Sequence, residues 1–344
     1  MRKGLRRRVR RVALFGVMAA AIGAASIAAA AAQDDKTYVM KLGILTINDS
    51  THEWVKTFAA AVERDSGGRI KGEIYPAGQL GSIARLIEGT QLGSIQVIVT
   101  PPDFFAGVDE RFETVSAPGT FTSLEQANRV IFDPEFRKAF LALGSDKGLF
   151  GLSLFINSPV TILTRNPARH LADFKGLKIR ILASDFQIEE IKRLGSTPVA
   201  MSLGDVMPAL QQGTIDGALA SVPAFTPLHY YDAAKYMTET GHYYVFSYAA
   251  MSKKWHDALP PDLQKIVADD ADKMAHEIVP WDMREIETQR KVWTDHGGEL
   301  ISLPPDEQAE LMKRMAPIAE DVGKTRPAIK QMYEQLLAAV KRAG

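Results

Sequence analysis

Cysteine is absent from the 344 residues. Disulfide scaffolds, thiol chemistry and a lipid anchor on an N-terminal cysteine are therefore excluded. Net charge is absent too: 41 Lys and Arg stand against 41 Asp and Glu. That balance hides an asymmetry. Arg2, Lys3, Arg6, Arg7, Arg8, Arg10 and Arg11 all fall within residues 1–32, which contain no acid. Taking these seven away leaves 34 cations and 41 anions, a net charge of −7, on the other 312 residues. Such a chain lacks the positive surface that phosphate binding needs, so no nucleic-acid partner is expected.

The motifs of common chemistries are also missing. The seven histidines form no H-E-x-x-H or comparable ligand spacing, so no metal site is expected. There is no G-x-S-x-G, no G-x-x-x-x-G-K-[ST], and no G-x-G-x-x-G after a strand. No cofactor is expected and the chain does not read as an enzyme. Distant Ser, His and Asp residues can converge in three dimensions, which keeps an exported enzyme as an alternative.

What is present begins with an address. Behind the basic cluster, Val12 to Ala32 contains only Val, Ala, Leu, Phe, Gly, Met, Ile and Ser. Ala30-Ala31-Ala32 before Gln33 fits an A-x-A-like cleavage site. Basic head, apolar middle and small-residue end together read as a secretory signal cleaved near Ala32. The competing reading is an uncleaved anchor, since 21 residues can span a bilayer. Arg10-Arg11-Val12-Ala13-Leu14 also resembles a twin-arginine signal. No later segment has 18 uninterrupted apolar residues.

The remainder alternates strands and helices. Val39–Leu45 is a strand candidate. Ser50 and Glu53 have capping-box spacing ahead of a stripe of Trp54, Phe58, Ala61 and Val62. Arg69–Tyr75 predicts a strand. Ser82 caps a helix carrying Ile83, Leu86 and Ile87, and Ile95–Val99 predicts a third strand. The pattern recurs. Leu177–Leu182, Thr197–Met201 and Ile215–Ala220 predict strands, with helices over Asp185–Leu194 and after Ser202. Two such units imply two α/β lobes with a cleft between them, and ligands of open α/β sheets bind beyond the carboxyl ends of the strands. Pro261–His296 reads as one long helix with a kink or break at Pro280, followed by helices near Pro305–Val322 and Arg326–Arg342.

One residue is anomalous in that frame. Alternation along Leu177–Leu182 sets Leu177, Ile179 and Ile181 on one face and Lys178, Arg180 and Leu182 on the other. A buried arginine keeps its charge and needs an anion. Either an internal Asp or Glu supplies it, or a ligand carboxylate does, held by the planar guanidinium fork.

A set of motifs then converges. They include Ser66-Gly67-Gly68-Arg69-Ile70-Lys71, Tyr75-Pro76-Ala77-Gly78-Gln79-Leu80-Gly81, Leu171–Arg180 (LADFKGLKIR), Leu194–Val199 (LGSTPV), Ala209–Gly217 (ALQQGTIDG) and Leu259-Pro260. In order and spacing they resemble the DctP-type substrate-binding proteins of tripartite ATP-independent periplasmic (TRAP) transporters, over nearly the whole mature chain. The resemblance implies a two-lobed periplasmic-binding-protein-like α/β fold whose cleft closes on an organic acid, with a long helix bridging the lobes. It implies delivery to a small and a large membrane subunit. By analogy lobe one spans 33–157 and 246–285, and lobe two spans 158–245 and 286–344. The family's carboxylate-binding arginine falls on Arg180.

Two departures matter. A second arginine common in sialic-acid and dicarboxylate members falls near Val160, and Glu-Asn-Pro after the Asp-Gly pair is replaced by Ala218-Leu219-Ala220-Ser221. The cleft is therefore expected to be more apolar, suiting a monocarboxylate with a hydrophobic or aromatic body as well as a C4-dicarboxylate. Arg165 is a possible replacement, but its strand parity differs from that of Val160. Further ligand candidates carry competing structural roles. These are Asp103 and Ser184 (helix caps), Ser221, Phe225 (core packing) and Asn157 (a hinge or turn). An importer driven by ATP and a sensory system are the alternative destinations.

Overall fold

The computed structural model describes residues 36–182 and 184–344. The leader and its cleavage point lie outside them. The first unit runs β1 (Tyr38–Gly43), α1 (Ser50–Asp65), β2 (Ile70–Tyr75), α2 (Ile83–Leu92) and β3 (Val97–Thr100). The cap of α1 is Asp49, one residue earlier than the capping-box expectation. Its backbone is extended and its side chain accepts from the amide of His52, while Ser50 is already helical. Trp54, Phe58, Ala61 and Val62 are buried, as their spacing predicts. Trp54 stacks on Phe58 with ring centroids 4.6 Å apart. Helix α2 is capped by Ser82 and closed by Gly93, whose φ of 87° lies in the left-handed region that glycine enters without strain.

Two tight turns of helix (Pro102–Phe105 and Glu110–Ser116) lead to α3 (Leu124–Ile131) and α4 (Pro134–Leu141). The chain then enters β4 (Leu149–Pro159) and, after Val160 alone, β5 (Thr161–Thr164). The second unit is β6 (Lys178–Ile181), α5 (Asp185–Arg193), β7 (Thr197–Ala200), α6 (Leu203–Gln211), β8 (Gly217–Ala220), α7 (Val222–Phe225) and β9 (Tyr236–Thr238). The chain returns through β10 (Tyr244–Ser252) to α8 (Lys253–Asp257) and the long α9 (Pro261–Asp295). It ends with β11 (Glu299–Ile301), α10 (Pro305–Met315), α11 (Ile318–Thr325) and α12 (Pro327–Ala343).

Among the described residues the strands form two sheets, ordered β2-β1-β3-β10-β4 and β11-β9-β5-β8-β6-β7. Both are mixed. Strand β1 is parallel to β2 and β3, and β10 is antiparallel to β3 and β4. Strand β6 is parallel to β7 and β8, and β5 is antiparallel to β8 and β9. Consecutive β4 and β5 lie in different sheets, as do β9 and β10, so the chain crosses between lobes at both places.

Helix α9 continues through Pro280 rather than breaking there. Leu263, Val267, Ala271, Met274 and Ile278 pack into the core of the first sheet. Trp293, near its other end, packs into the core of the second. One helix thus braces both. The expected single helix over 305–322 is divided at Ala316-Pro317 into α10 and α11, because a proline two residues on cannot donate into the first helix's ladder. Helix α12 buries Met332, Leu336 and Ala339 against the first sheet's cluster, with Phe112 and Phe136, and only Ile329 against the second's. The expectation had placed all of 286–344 with lobe two. The apolar stripe of α12 instead covers lobe one.

Candidate functional site

The carboxyl ends of β1 and β3 in one sheet face those of β6 and β8 in the other across a cavity. It holds about 500 Å3 of empty space, mouth included. The first sheet contributes Leu45, Thr46, Asp49, Val99, Thr100, Pro101 and Phe104, and the second contributes Arg180, Leu182, Leu203, Ala220 and Ala224. Asn157, on β4 at the crossover, belongs to the wall as well. This is where ligands of open α/β sheets are bound.

Arg180 is 2% exposed. Its Nε donates to the carbonyl of Met201 at 2.9 Å and its Nη1 to the carbonyl of Leu219 at 3.0 Å. These bonds anchor the guanidinium to β8 and to the turn after β7. The Phe104 ring centroid lies 5.9 Å from the guanidinium carbon. Among the described residues no Asp or Glu pairs with Arg180, and no acceptor meets Nη2. Burial pulls the guanidinium down to about 10, so it remains a cation at neutral pH. The internal ion pair that the sequence left open is not formed. Leu182 shares the cavity with Arg180, as strand alternation predicts.

The other candidates separate by position. Asn157 lines the cavity. Its Nδ2 donates to Ser50 Oγ at 2.8 Å and to Asp49 Oδ2 at 3.3 Å, and its Oδ1 accepts from Ser221 Oγ at 2.7 Å. Ser221 is thus drawn into a polar chain between the two lobes and stands behind Asn157. Ser184 caps α5 by accepting from the amide of Gln187 at 3.3 Å. Asp103 lies behind the cavity wall. It accepts from Ser116 Oγ at 2.9 Å and from Gln187 Nε2 at 3.3 Å, and burial lifts it to about 7. Phe225 is fully buried against Tyr230, with centroids 5.1 Å apart, and its neighbour Ala224 is the one at the wall. Val160 is core, and Arg165 is exposed just beyond β5, so among the described residues no second arginine enters the cavity.

The acid that sequence reasoning missed is Asp49. It is fully buried, lines the cavity, and accepts from Thr46 Oγ1 and from the His52 amide, both at 2.9 Å. Burial raises it to about 6 against the pull of these donors. The signal was present: an Asp just past a strand's carboxyl end is as good a helix cap as the Ser after it. Asp282 on α9 stands near it, with its pKa raised well above the usual range by burial and then by the Asp49 charge.

Residues 44–325 match the family described as "Bacterial extracellular solute-binding protein, family 7" (DctP). The chain belongs to the DctP family. Among relatives, the C4-dicarboxylate-binding periplasmic protein DctP of Rhodobacter capsulatus is 27% identical over 293 residues, 83% of this chain and 84% of that protein. Among solved structures, the sugar acid binding protein of Advenella mimigardefordensis in complex with galactonate aligns with a TM-score of 0.84. It is 24% identical, and the alignment covers 90% of this chain and 99% of that one. A TRAP periplasmic solute-binding protein from Desulfovibrio salexigens with bound orotic acid aligns at 0.81 with 22% identity, covering 88% and 100%. The expected fold is therefore found: a two-lobed α/β binding protein with a cleft and a bridging helix. As a family, DctP proteins are periplasmic solute receptors of TRAP systems, and these relatives are binding proteins. No helix among the described residues of this DctP protein is long and apolar enough to cross a membrane.

Proposed function

We propose that this DctP protein is exported by a leader cleaved near Ala32 and captures an organic monocarboxylate with a largely apolar body. It then presents that acid to the small and large membrane subunits of a TRAP transporter. No covalent step is involved. The observation that carries this reading is Arg180, whose Nη2 is unpaired in a mostly apolar cavity with no second cation among the described residues. A carboxylate can take the two outer nitrogens end-on, a charge-assisted pair strengthened by the dry surroundings. A dicarboxylate would bring a second charge that nothing in the wall neutralises, and burying it unpaired costs several kcal/mol. The lobes divide near 157–158 and 245–246. A ligand that touches both lobes only when they are closed draws the open–closed equilibrium toward the closed form. The relatives named above bind dicarboxylate, galactonate and orotic acid, which favours a carboxylate over other solutes.

The test is a thermal-shift screen of organic acids followed by calorimetry on the best of them. A ligand at 100 times its dissociation constant stabilises by about 2.7 kcal/mol, which such a screen resolves. Arg180→Ala is expected to lose at least a hundredfold in affinity while staying folded. Near-normal binding by Arg180→Ala would falsify the role of this residue. Turnover of the bound acid would instead establish an enzyme.

A further inference from the structure

Arg180 is not the only ionisable side chain on the cavity wall. Asp49 faces the same space from the other sheet, and it too lacks a partner of opposite charge. Its Oδ1 is occupied by Thr46 Oγ1 and the His52 amide, while Oδ2 has a single donor, Asn157 Nδ2, at 3.3 Å. Behind it α9 places Asp282, which is 7% exposed and whose Oδ1 has no donor. Among the described residues neither carboxyl pairs with a Lys or Arg. The cavity wall therefore holds a cation without an anion on one lobe and, from the other, a carboxyl without a cation.

We infer that the natural ligand is zwitterionic, with a carboxylate held by Arg180 and a cationic N–H group held by Asp49, which selects it. This rests on the reading of Arg180 given above. A cation placed at Asp49 supplies the missing counter-charge and uses the open acceptor on Oδ2. A hydroxyl would fill the hydrogen bond but leave the buried negative charge uncompensated. A second carboxylate would be repelled by Asp49. The raised Asp49 pKa agrees, because it marks a carboxylate short of positive charge in the unliganded protein.

The experiment compares three classes of probe on the full mature chain. These are ω-amino acids and cyclic imino acids, hydroxy and alkyl monocarboxylates, and linear dicarboxylates, each over four to six carbons. Zwitterions are expected to give the largest rise in Tm. Asp49→Asn and Asp49→Ser both keep a good helix cap, so the fold has its N-terminus secured in either variant. Each is expected to weaken the best zwitterion at least tenfold and to leave a simple alkyl monocarboxylate within threefold. A wild-type preference for a dicarboxylate or an uncharged-tailed monocarboxylate overturns the inference, as does the absence of any shift by the zwitterions. So does a variant that keeps full zwitterion affinity. Loss of acid binding in Arg180→Ala alongside any of these results leaves the carboxylate reading intact and rejects only the zwitterion. Retention of acid binding in Arg180→Ala would reject both.

Discussion

Arg180 and Asp103 are equally buried, at 2% exposure each, yet they are accommodated in different ways. Arg180 keeps its charge and leaves Nη2 without an acceptor beside the cavity. Asp103 does not line that cavity. It sits in a packed seam between lobes with Ser116 and with Gln187 of α5, and burial takes it to about 7. Glu113 in the same seam accepts from the Asp185 amide at 2.6 Å and rises to about 8. Glu190 meets His242 at 3.2 Å, and burial raises its pKa as well. A buried charge with room beside it can await a ligand. Buried acids without room take up protons instead.

The sharpest way to break this contrast is to keep the charge of Arg180 and remove its fork. Arg180→Lys retains a cation but cannot hold a carboxylate by two parallel bonds or reach both carbonyls that now fix it. Affinity for the best organic acid is expected to fall about 30- to 100-fold, roughly 2–3 kcal/mol. Calorimetry showing a loss below threefold would mean that charge alone suffices.

The seam is tested by pH. Burial holds Glu113 at about 8 in the folded protein, whereas an unfolded chain ionises near its ordinary value of 4.5. Below that value both states are protonated and nothing is lost. As pH rises toward 8 the unfolded state releases its proton first, so folded stability declines by up to about 1.4 kcal/mol per unit for this one group. The Asp103 and Asp185 charges add to this rise, while the Asp185 amide and Arg326 oppose it. Glu113→Gln can still accept from the Asp185 amide but carries no proton linkage. Its Tm is expected to gain on the wild type between pH 4.5 and 8, by an amount worth up to about 5 kcal/mol. Parallel Tm curves for the two proteins would show that Glu113 is ionised in the fold.

Between the two regions stands Asn157, whose amide joins Ser50 and Asp49 of one lobe to Ser221 of the other. Asn157→Ala leaves three buried polar groups short of a partner. A stability loss of about 1–2 kcal/mol is expected, with affinity reduced by no more than about tenfold. If only affinity fell, Asn157 would be a ligand contact and not a connector.

Much of this was legible in the chain. The stripe of Trp54, Phe58 and Val62, the caps at Ser82 and Ser184, and the face shared by Arg180 and Leu182 follow from periods of 3.6 and 2. Strands β4 and β10 were not, because LFGLSLFINSP and YVFSYAAMS are near-continuous apolar runs without alternation. Those strands adjoin the crossovers between lobes and are buried on both faces, so their pattern carries no direction. The cap at Asp49 was hidden by a serine one residue later. The covering of lobe one by α12 depends on tertiary packing that no local pattern encodes.

The smallest expected effect separates wall from core. Phe225 has the credentials of a ligand platform: an aromatic residue just past the carboxyl end of β8, in a helical turn whose Ala224 lines the cavity. Its own ring points the other way, into a cluster with Leu203, Val206, Tyr230 and Trp293. A change that keeps it apolar should therefore be felt in packing and not in binding. Phe225→Leu loses the tilted ring contact with Tyr230 and part of a ring's volume, an expected cost of about 1–1.5 kcal/mol read as a lower Tm. Affinity for the best organic acid should stay within about twofold, because Ala224 and the backbone beside it need not move. A tenfold loss of affinity at unchanged Tm would put the ring at the ligand. The apolar character of the cleft would then owe as much to Phe225 as to Phe104 and Leu182.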